Sequence, residues 1–221
     1  MPKKYDLIIF DCDGTLVDSE RAIAEAYASA LNDLGYTNFS ADYLLEHSLG
    51  KGITQVVNIL HNAYGKDFDA QQFMRVGIDY ATKRMKTSTV PMPGAKEFLE
   101  ELRIEQARCV ASNGEYQNVK EALKATGLYG FFKEDEIFTY EVVGRPKPAP
   151  DLFLYAAKHF GADPSKCIVI EDSKAGIMAA NAAMMDVLRI SARGPHDPEV
   201  AALETIGVIK DIREIKDHIL L

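Results

Sequence analysis

Two aspartates separated by one residue, Asp11 and Asp13, are the side chains whose type and spacing first suggest chemistry in this sequence. They follow a short apolar run, residues 6–10, with the length of a buried strand, and they precede a turn at Gly14. Residues i and i+2 of a strand lie on the same side, so both carboxylates can face one point. Two like charges that close are costly unless a cation or a shared proton offsets them, which predicts a divalent metal or a carboxylate dyad. The alternative is a strand that ends in a solvated Asp-Gly turn.

Further polar residues stand where later strands are expected to end, or in the loop beside one. Ligands of an open parallel sheet bind at the carboxyl ends of the strands, so these residues and the aspartate pair are predicted to share one edge. Their groups suit phosphoryl transfer, because Mg2+ prefers oxygen ligands and a phosphate needs positive charge and hydrogen-bond donors. A carboxylate can act as nucleophile, and a second acid can carry the proton. The residues are Ser112, Asn113, Lys147, Glu171 and Asp172.

The elements that must position these residues alternate between helix and strand from residue 93 onward. Strands that alternate with helices indicate parallel βαβ units. The sequence therefore predicts an α/β fold whose core is a Rossmann-like, doubly wound parallel sheet with helices on both faces. The last segment, 212–219, is predicted to be an amphipathic helix.

A different pattern interrupts this core after the first strand. Residues 18–86 contain four helical stretches and no convincing strand, and the polar, proline-containing segment 86–94 is predicted to be a linker. The sequence therefore predicts an inserted all-helical cap domain at 18–86 and a catalytic core formed by 1–17 and 87–221.

The composition of the 221 residues, 47% hydrophobic and 26% charged, is that of a globular protein with a substantial core. The net charge of -8 argues against nucleic acid as a partner, since phosphate backbones attract basic patches. No apolar stretch has the ~18 residues that a membrane helix needs, and no signal peptide is expected. The cysteines, Cys12, Cys109 and Cys167, have no metal-site or disulfide spacing, which predicts a reducing, cytoplasmic setting.

Four segments of the chain resemble, in order, the four motifs of the haloacid dehalogenase superfamily. Together they bracket nearly the whole predicted core. The inserted helical segment lies where the beta-phosphoglucomutase-like branch of that superfamily carries its cap. The four segments are FDCDGTLVDS at 10–19, ASN at 111–113, RPKPAPD at 145–151 and IEDSKAGIMAA at 170–180.

The resemblance implies a mechanism that uses both aspartates and Mg2+. Asp11 resembles the nucleophile that becomes phosphorylated and that also binds the metal. Asp13 resembles the general acid/base, with its main-chain carbonyl on Mg2+. Asp172 resembles a further metal ligand, and Glu171 resembles its acidic neighbour, which reaches the metal directly or through water.

The resemblance also implies groups that hold the phosphate of the substrate. Ser112 and Lys147 resemble phosphate binders, and Lys147 also balances the charge of the nucleophile. Asn113 resembles the residue whose backbone orients the phosphate. Lys51, in a Gly-Lys-Gly turn of the predicted cap, is a candidate second anchor for the substrate, with an exposed loop lysine as the alternative.

Asp13 and Ile23 select among the reactions of the superfamily. Its dehalogenases lack an acid/base aspartate because a halide leaves without a proton, so Asp13 favours a phosphate ester. The phosphomutase pattern has a histidine early in the first cap helix, where this chain has Ile23, so transfer to water is favoured. We expect a Mg2+-dependent phosphatase for a small sugar or sugar-acid phosphate, a monomer or weak homo-oligomer with no nucleic acid or membrane partner. A sugar phosphomutase, or a non-catalytic metal-dependent binding module, is the alternative.

Overall fold

The structure is a computed structural model that describes residues 2–48, 53–191 and 198–220. The chain divides into two compact units, one formed by Met1–Asp18 with Val90–Leu221 and the other by Ser19–Thr89. The sequence-based boundaries lie within three residues of these crossings. That the second unit serves as a cap domain stays a prediction.

Within its described residues, the second unit consists of four α-helices and one short 3-10 turn. Their apolar faces form one core, in which the rings of Tyr27 and Phe73 meet edge-on with centroids 5.6 Å apart. Gly77 makes this close packing possible, because a Cβ there would lie 3.3 Å from Tyr27 Cδ1. The helices are α1 (Glu20–Asp33), α2 (Ala41–Ser48), α3 (Ile53–Tyr64) and α4 (Ala70–Ser88), with the turn at Gly65–Asp67.

All the strands that the structure describes belong to the first unit. They are β1 (Lys3–Lys4), β2 (Leu7–Phe10), β3 (Val17–Asp18), β4 (Val90–Pro91), β5 (Ala107–Ser112), β6 (Ile137–Thr139), β7 (Cys167–Glu171), β8 (Asp186–Ile190), β9 (Gly207–Ile209) and β10 (Ile219–Leu220). A six-stranded central sheet has the order β6, β5, β2, β7, β8, β9, and every pairing in it is parallel. Its inner strands are buried on both faces, as expected for short, continuously apolar strands. The predicted α/β fold is confirmed.

Helices cover both faces of this sheet, and an apolar core lies between the sheet and the helices on each face. Alternation along β2 supplies both, since Ile8 and Phe10 belong to one core and Leu7 and Ile9 to the other. No described helix is both long and apolar enough to cross a membrane. The helices of this unit are α5 (Ala95–Glu101) and α6 (Tyr116–Ala125) on the first core, α7 (Asp151–Phe160) and α8 (Lys174–Ala182) on the second, and the short α9 (Pro198–Ala201).

The chain segments at the two crossings between the units pair with each other. β3 and β4 form an antiparallel ribbon, and Met92 N donates to Leu16 O at 2.9 Å. The predicted linker 86–94 is therefore wrong in part, since α4 continues to Ser88 and the following residues form β4. The local sequence does not reveal strand β4, because its partner β3 precedes the inserted helices and is about 70 residues away in sequence.

The C-terminal segment differs from the amphipathic helix predicted over 212–219. Ile212–Asp217 form a 3-10 helix, and Ile219–Leu220 pair in parallel with β1 as strand β10. The Asp211 side chain begins the 3-10 helix by accepting a hydrogen bond from Arg213 N. The helix prediction is wrong because the opposite end of the chain supplies a strand partner that apolar periodicity alone does not reveal.

Candidate active site

Three neighbouring strands bring the predicted polar residues to one edge of the sheet. β2 lies between β5 and β7. Asp11 directly follows β2, while Ser112 ends β5 and Glu171 ends β7. The main-chain N–H of Asp11 donates to Ile170 O at 3.0 Å, so Asp11 continues the pairing of β2 with β7. The carboxyl edge of the sheet therefore carries the polar groups, as the sequence predicts.

The ammonium group of Lys147 lies at the centre of this edge. Its Nζ donates to Asp11 Oδ1 at 2.6 Å and to Glu171 Oε1 at 2.9 Å. The Lys147 side chain is only 2% exposed. Burial acts to lower the pKa of Lys147, but the two carboxylates outweigh burial and hold that pKa above its usual range. The Lys147 side chain therefore stays positively charged next to the Asp11 carboxylate.

The same surroundings shift the pKa of Asp11. Burial raises it, Lys147 lowers it and Glu171 raises it further, with a pKa of about 7 as the result. The charged form of Asp11 is thus only partly offset by the protein itself. A further cation at this edge would stabilise the charged carboxylate.

The side chain of Asn113 holds the loop that carries Lys147. Asn113 Nδ2 donates to Lys147 O at 3.1 Å, and Lys147 N donates to Asn113 Oδ1 at 2.8 Å. One carboxamide thereby joins the turn after β5 to the loop after β6. The role of the Asn113 backbone toward phosphate stays a prediction, and the observed contacts of its side chain are with the lysine loop.

Ser112 and Asp13 approach each other at the turn after β5. Gly114 N donates to Ser112 Oγ at 3.0 Å. A Cβ on Gly114 would lie 3.3 Å from Ser112 Oγ and 3.8 Å from Asp13 Oδ2, so both oxygens flank this glycine. A hydroxyl oxygen that accepts one hydrogen bond can still donate its own hydrogen. A hydroxyl group and a carboxylate oxygen thus lie within 4 Å of one point beside Gly114.

Asp172 lies against the turn that follows the two aspartates. Thr15 Oγ1 donates to Asp172 Oδ1 at 3.3 Å. Gly14 has a φ of 83°, and a Cβ there would overlap Asp172 Oδ2, so this position needs glycine for both its backbone and its space. Thr15 is a site residue that sequence reasoning missed, because a threonine in a turn gives no sign of a carboxylate partner that follows a strand far away in sequence.

Both carboxylate oxygens of Glu171 are hydrogen-bonded within the protein. Oε1 accepts from Lys147, and Oε2 accepts from Ser173 N at 2.6 Å, directly before α8. A Cβ on Gly176 would overlap the Glu171 carboxylate, so the glycine leaves room for it. Gly176 is a second residue that sequence reasoning missed. The role of Glu171 as a metal ligand stays a prediction, and its observed contacts are with Lys147 and the start of α8.

The oxygen groups at this edge fit a hard divalent cation such as Mg2+. They are carboxylates and backbone carbonyls, which Mg2+ prefers over imidazole or thiolate ligands. Among the residues that the structure describes, no three His, Cys, Asp or Glu side chains form a group that could hold a metal. Mg2+ commonly takes one or two carboxylates and fills its other positions with water and phosphate oxygens. Asp11 and Asp172 are two carboxylates of this kind, and their role as metal ligands stays a prediction.

Lys51 and Cys12 complete the residues singled out from the sequence. Lys51 lies outside the described residues. Cys12 is fully buried in the apolar core that contains Phe10 and Leu16. Burial raises the pKa of the Cys12 thiol well above its usual range. Cys12 is a packed side chain that spaces the two aspartates.

Most of the chain is similar to known proteins. A family model described as haloacid dehalogenase-like hydrolase matches residues 5–183. The chain is 29% identical over 191 residues to a fructose-1-phosphate phosphatase of Escherichia coli, covering 86% of this chain and 98% of that protein. It is 26% identical over 197 residues to a 6-phosphogluconate phosphatase of the same organism, covering 89% and 87%.

Two further similarities concern a solved structure and a longer protein. A haloacid dehalogenase family hydrolase from Deinococcus radiodurans, solved with bound phosphate and sodium, has a TM-score of 0.82 and 28% identity, covering 96% of this chain and 93% of that chain. The chloroplastic protein Suppressor of Quenching 1 of Arabidopsis thaliana is 31% identical over 193 residues, but this chain spans only 18% of its length.

Proposed function

The chain belongs to the haloacid dehalogenase-like hydrolase family, and from this premise we propose that it is a Mg2+-dependent phosphatase acting through an aspartyl-phosphate on Asp11. Its reaction class is phosphoric monoester hydrolysis, in common with its phosphatase relatives. The observation that carries the proposal is the 2.6 Å contact of the buried Lys147 ammonium with Asp11 Oδ1. A carboxylate that is oriented by a buried ammonium at the open edge of a parallel sheet is suited to act as a nucleophile.

The first step forms the phosphoenzyme. An oxygen of Asp11 attacks the phosphorus of the ester, and the bond between phosphorus and the ester oxygen breaks. Asp13 gives its proton to the departing oxygen, which leaves as an alcohol. Lys147 and Ser112 hold the phosphoryl oxygens with charge-assisted and hydroxyl donors while negative charge builds on them.

The second step returns the enzyme to its starting state. Asp13, now a carboxylate, accepts a proton from a water molecule as that water attacks phosphorus. The bond between phosphorus and the Asp11 oxygen breaks, so the Asp11 carboxylate is restored and inorganic phosphate leaves. Asp13 holds the proton again for the next ester.

The residues that would hold Mg2+ are Asp11 and Asp172, with the Asp13 carbonyl and Glu171 as the further predicted ligands. When bound, Mg2+ supplies positive charge to the phosphoryl oxygens and to the nucleophile. Thr15 holds Asp172 in place by its hydroxyl, 3.3 Å from Oδ1.

A sugar or sugar-acid phosphate is the proposed substrate class. Support comes from the relatives named for fructose 1-phosphate and 6-phosphogluconate. We assign the helical unit the role of a cap that excludes bulk water and reads the sugar, with Lys51 as a candidate anchor. Ile23 and its neighbours Ala22 and Ala24 provide no imidazole early in α1, which favours water over a second sugar hydroxyl as the acceptor.

The experiment that tests this function is a panel of phosphorylated sugars and sugar acids, assayed with Mg2+ for both free phosphate and isomeric products. Release of stoichiometric phosphate from a member of the panel, lost in Asp11→Asn, is the expected result. Isomerisation that depends on a bisphosphate activator would identify a phosphomutase instead. Activity toward no phosphate ester would favour a binding module. The protein is proposed to act in the cytoplasm as a monomer or weak homo-oligomer, without nucleic acid or membrane partners.

A further inference from the structure

An aromatic ring lies against the buried ammonium at the centre of the site. Lys147 Nζ is 4.8 Å from the centroid of Phe153. Phe153 is fully buried, at 0% exposure, and the Lys147 side chain is 2% exposed. The pair is therefore desolvated, and a cation against a ring face is attracted most strongly when water is excluded.

The local fold explains how this ring reaches the lysine. Pro150 is the N-cap of α7, and Phe153 is the third residue of that helix. The first turn of α7 therefore lies beside the loop that contains Lys147. The same ring belongs to the apolar core under the sheet with Leu7 and Ile9, which fixes its position by packing.

The number of hydrogen-bond donors on the Lys147 ammonium explains why an aromatic ring is a suitable neighbour. A lysine ammonium has three N–H donors. Two acceptors are present in the described structure, Asp11 Oδ1 at 2.6 Å and Glu171 Oε1 at 2.9 Å. The proposed mechanism leaves the third N–H for a phosphoryl oxygen of the substrate. The negatively polarised face of Phe153 attracts the ammonium as a whole without competing for any of these three hydrogen bonds.

We propose that Phe153 is a positioning residue of the active site, whose ring face aims the Lys147 ammonium at Asp11 and Glu171. An oxygen acceptor in place of the ring would compete with the substrate phosphate for the third N–H and draw charge from Asp11. An aliphatic side chain would fill the space but would not attract the ammonium. Only the predicted effect of Phe153 on catalysis rests on the proposed function. The position of the Lys147 ammonium can be measured without turnover.

The first test reads the position of the ammonium directly. In uniformly 15N-labelled protein, the Nζ–Hζ resonance of Lys147 is assigned by its absence in Lys147→Met. Protons that face an aromatic ring are shielded, so we expect this resonance upfield of the other lysine ammonium signals, with a large downfield shift in Phe153→Leu. Phe153→Tyr keeps the ring face and is expected to keep the upfield position. A Lys147 resonance at the ordinary lysine position in the unaltered protein would overturn the proposal, whatever the variants do.

The second test separates positioning from packing. Phe98 is also fully buried, but it lies in the core on the opposite face of the sheet from Phe153. Its ring centroid there is 6.2 Å from that of Phe10. Phe98→Leu is therefore a control for the loss of a buried ring. We expect Phe153→Leu to lower kcat by about tenfold or more with a smaller change in KM, while Phe98→Leu of similar thermal stability keeps kcat. Equal kcat losses in the two variants would contradict a positioning role.

The two tests distinguish failure of this inference from failure of the proposed function. If no phosphate ester turns over, the resonance of Lys147 still reports whether Phe153 shields it. If turnover occurs and Phe153→Leu leaves both the resonance and kcat unchanged, the phosphatase stands and the positioning role is refuted.

Discussion

One carboxyl group, that of Asp11, is expected to make the stability of the metal-free protein depend on pH. Burial raises the pKa of Asp11 from 3.8 to about 7, with Lys147 opposing and Glu171 adding to the rise. Between these two values the folded protein binds the proton more tightly than the unfolded chain does. The unfolding free energy therefore falls as pH rises from about 4 to about 7.

We predict that Asp11→Asn is more stable than the unaltered protein in the presence of a chelator, and that its advantage grows between about pH 5 and about pH 8. Asparagine cannot ionise, and it leaves Lys147 paired with Glu171. Thermal unfolding at the two pH values measures the effect, where ~1 kcal/mol corresponds to ~2–4 °C for a protein of this size. Asp135→Asn, at an exposed position, is the control without such a trend. An advantage that shrinks as pH rises would refute the prediction.

Residues of the site differ in how far the sequence predicts them. The placement of Asp11 and Asp13 at the sheet edge is predictable because they directly follow an apolar run, and that of Lys147 because it stands between two prolines in the loop beside a strand. The carboxamide of Asn113 contacts the lysine loop, and this could not be read from the sequence because its partner is main chain 34 residues away. Phe153 is apolar and looks like any other core residue, so only its position against the ammonium reveals a role.

At the scale of the elements, the first turn of α8 is expected to tolerate no side chain at Gly176. Alanine would favour the helix by about 1 kcal/mol, but its Cβ would overlap the Glu171 carboxylate that holds Lys147. We predict that Gly176→Ala lowers kcat/KM by about tenfold or more, since misplacement by about 1 Å can cost far more. The assay uses the substrate found in the panel. Gly130→Ala is the control, because a Cβ there meets nothing within 4 Å; equal activity of the two variants would contradict the prediction.

At the C-terminal end of α8, a non-glycine residue occupies a position that favours glycine. Met184 has a φ of 59° and is 79% exposed, so it occupies the left-handed position after α8 without gaining burial. Met185 N closes the end of the helix by donating to Ala180 O at 3.0 Å. Glycine is the usual residue there because it adopts this conformation without steric cost.

We predict that Met184→Gly raises the unfolding free energy by about 1 kcal/mol. The same substitution inside the helix, Met178→Gly, is expected to lower it by about 1 kcal/mol, because glycine is unfavourable in a helix interior. Denaturant unfolding of both variants checks the difference in sign. Destabilisation by Met184→Gly would show that the side chain contributes packing that its exposure does not indicate.

Elements were predictable where periodicity and local breakers agree. The inserted segment follows the apolar helical period, and the structure has four α-helices among its described residues, as predicted. The β3–β4 ribbon and the β1–β10 pair escaped prediction because each strand is two residues long and its partner lies far away in sequence. For such short strands, long-range pairing decides the structure and local propensity does not.

At the scale of the whole molecule, fold class and family were predictable because four short motifs fall at the carboxyl edge of one parallel sheet. A chain that alternates strand and helix has few alternatives to this sheet, and the edge then collects the motif residues. Substrate choice lacked such a signal. We propose that it depends on the helical unit, where the candidate anchor Lys51 stands in the sequence Gly-Lys-Gly, which has no distinctive pattern.

The central claim is that Asp11 becomes phosphorylated during turnover. The most direct measurement mixes the enzyme with Mg2+ and a sugar phosphate that it hydrolyses, quenches in acid, reduces with borohydride and maps the product by peptide mass spectrometry. An aspartyl-phosphate is reduced to homoserine, so we predict homoserine at position 11 in the unaltered enzyme and none in Asp11→Asn, which also releases no phosphate. Reduction at another residue, or phosphate release that persists in Asp11→Asn, would contradict the mechanism.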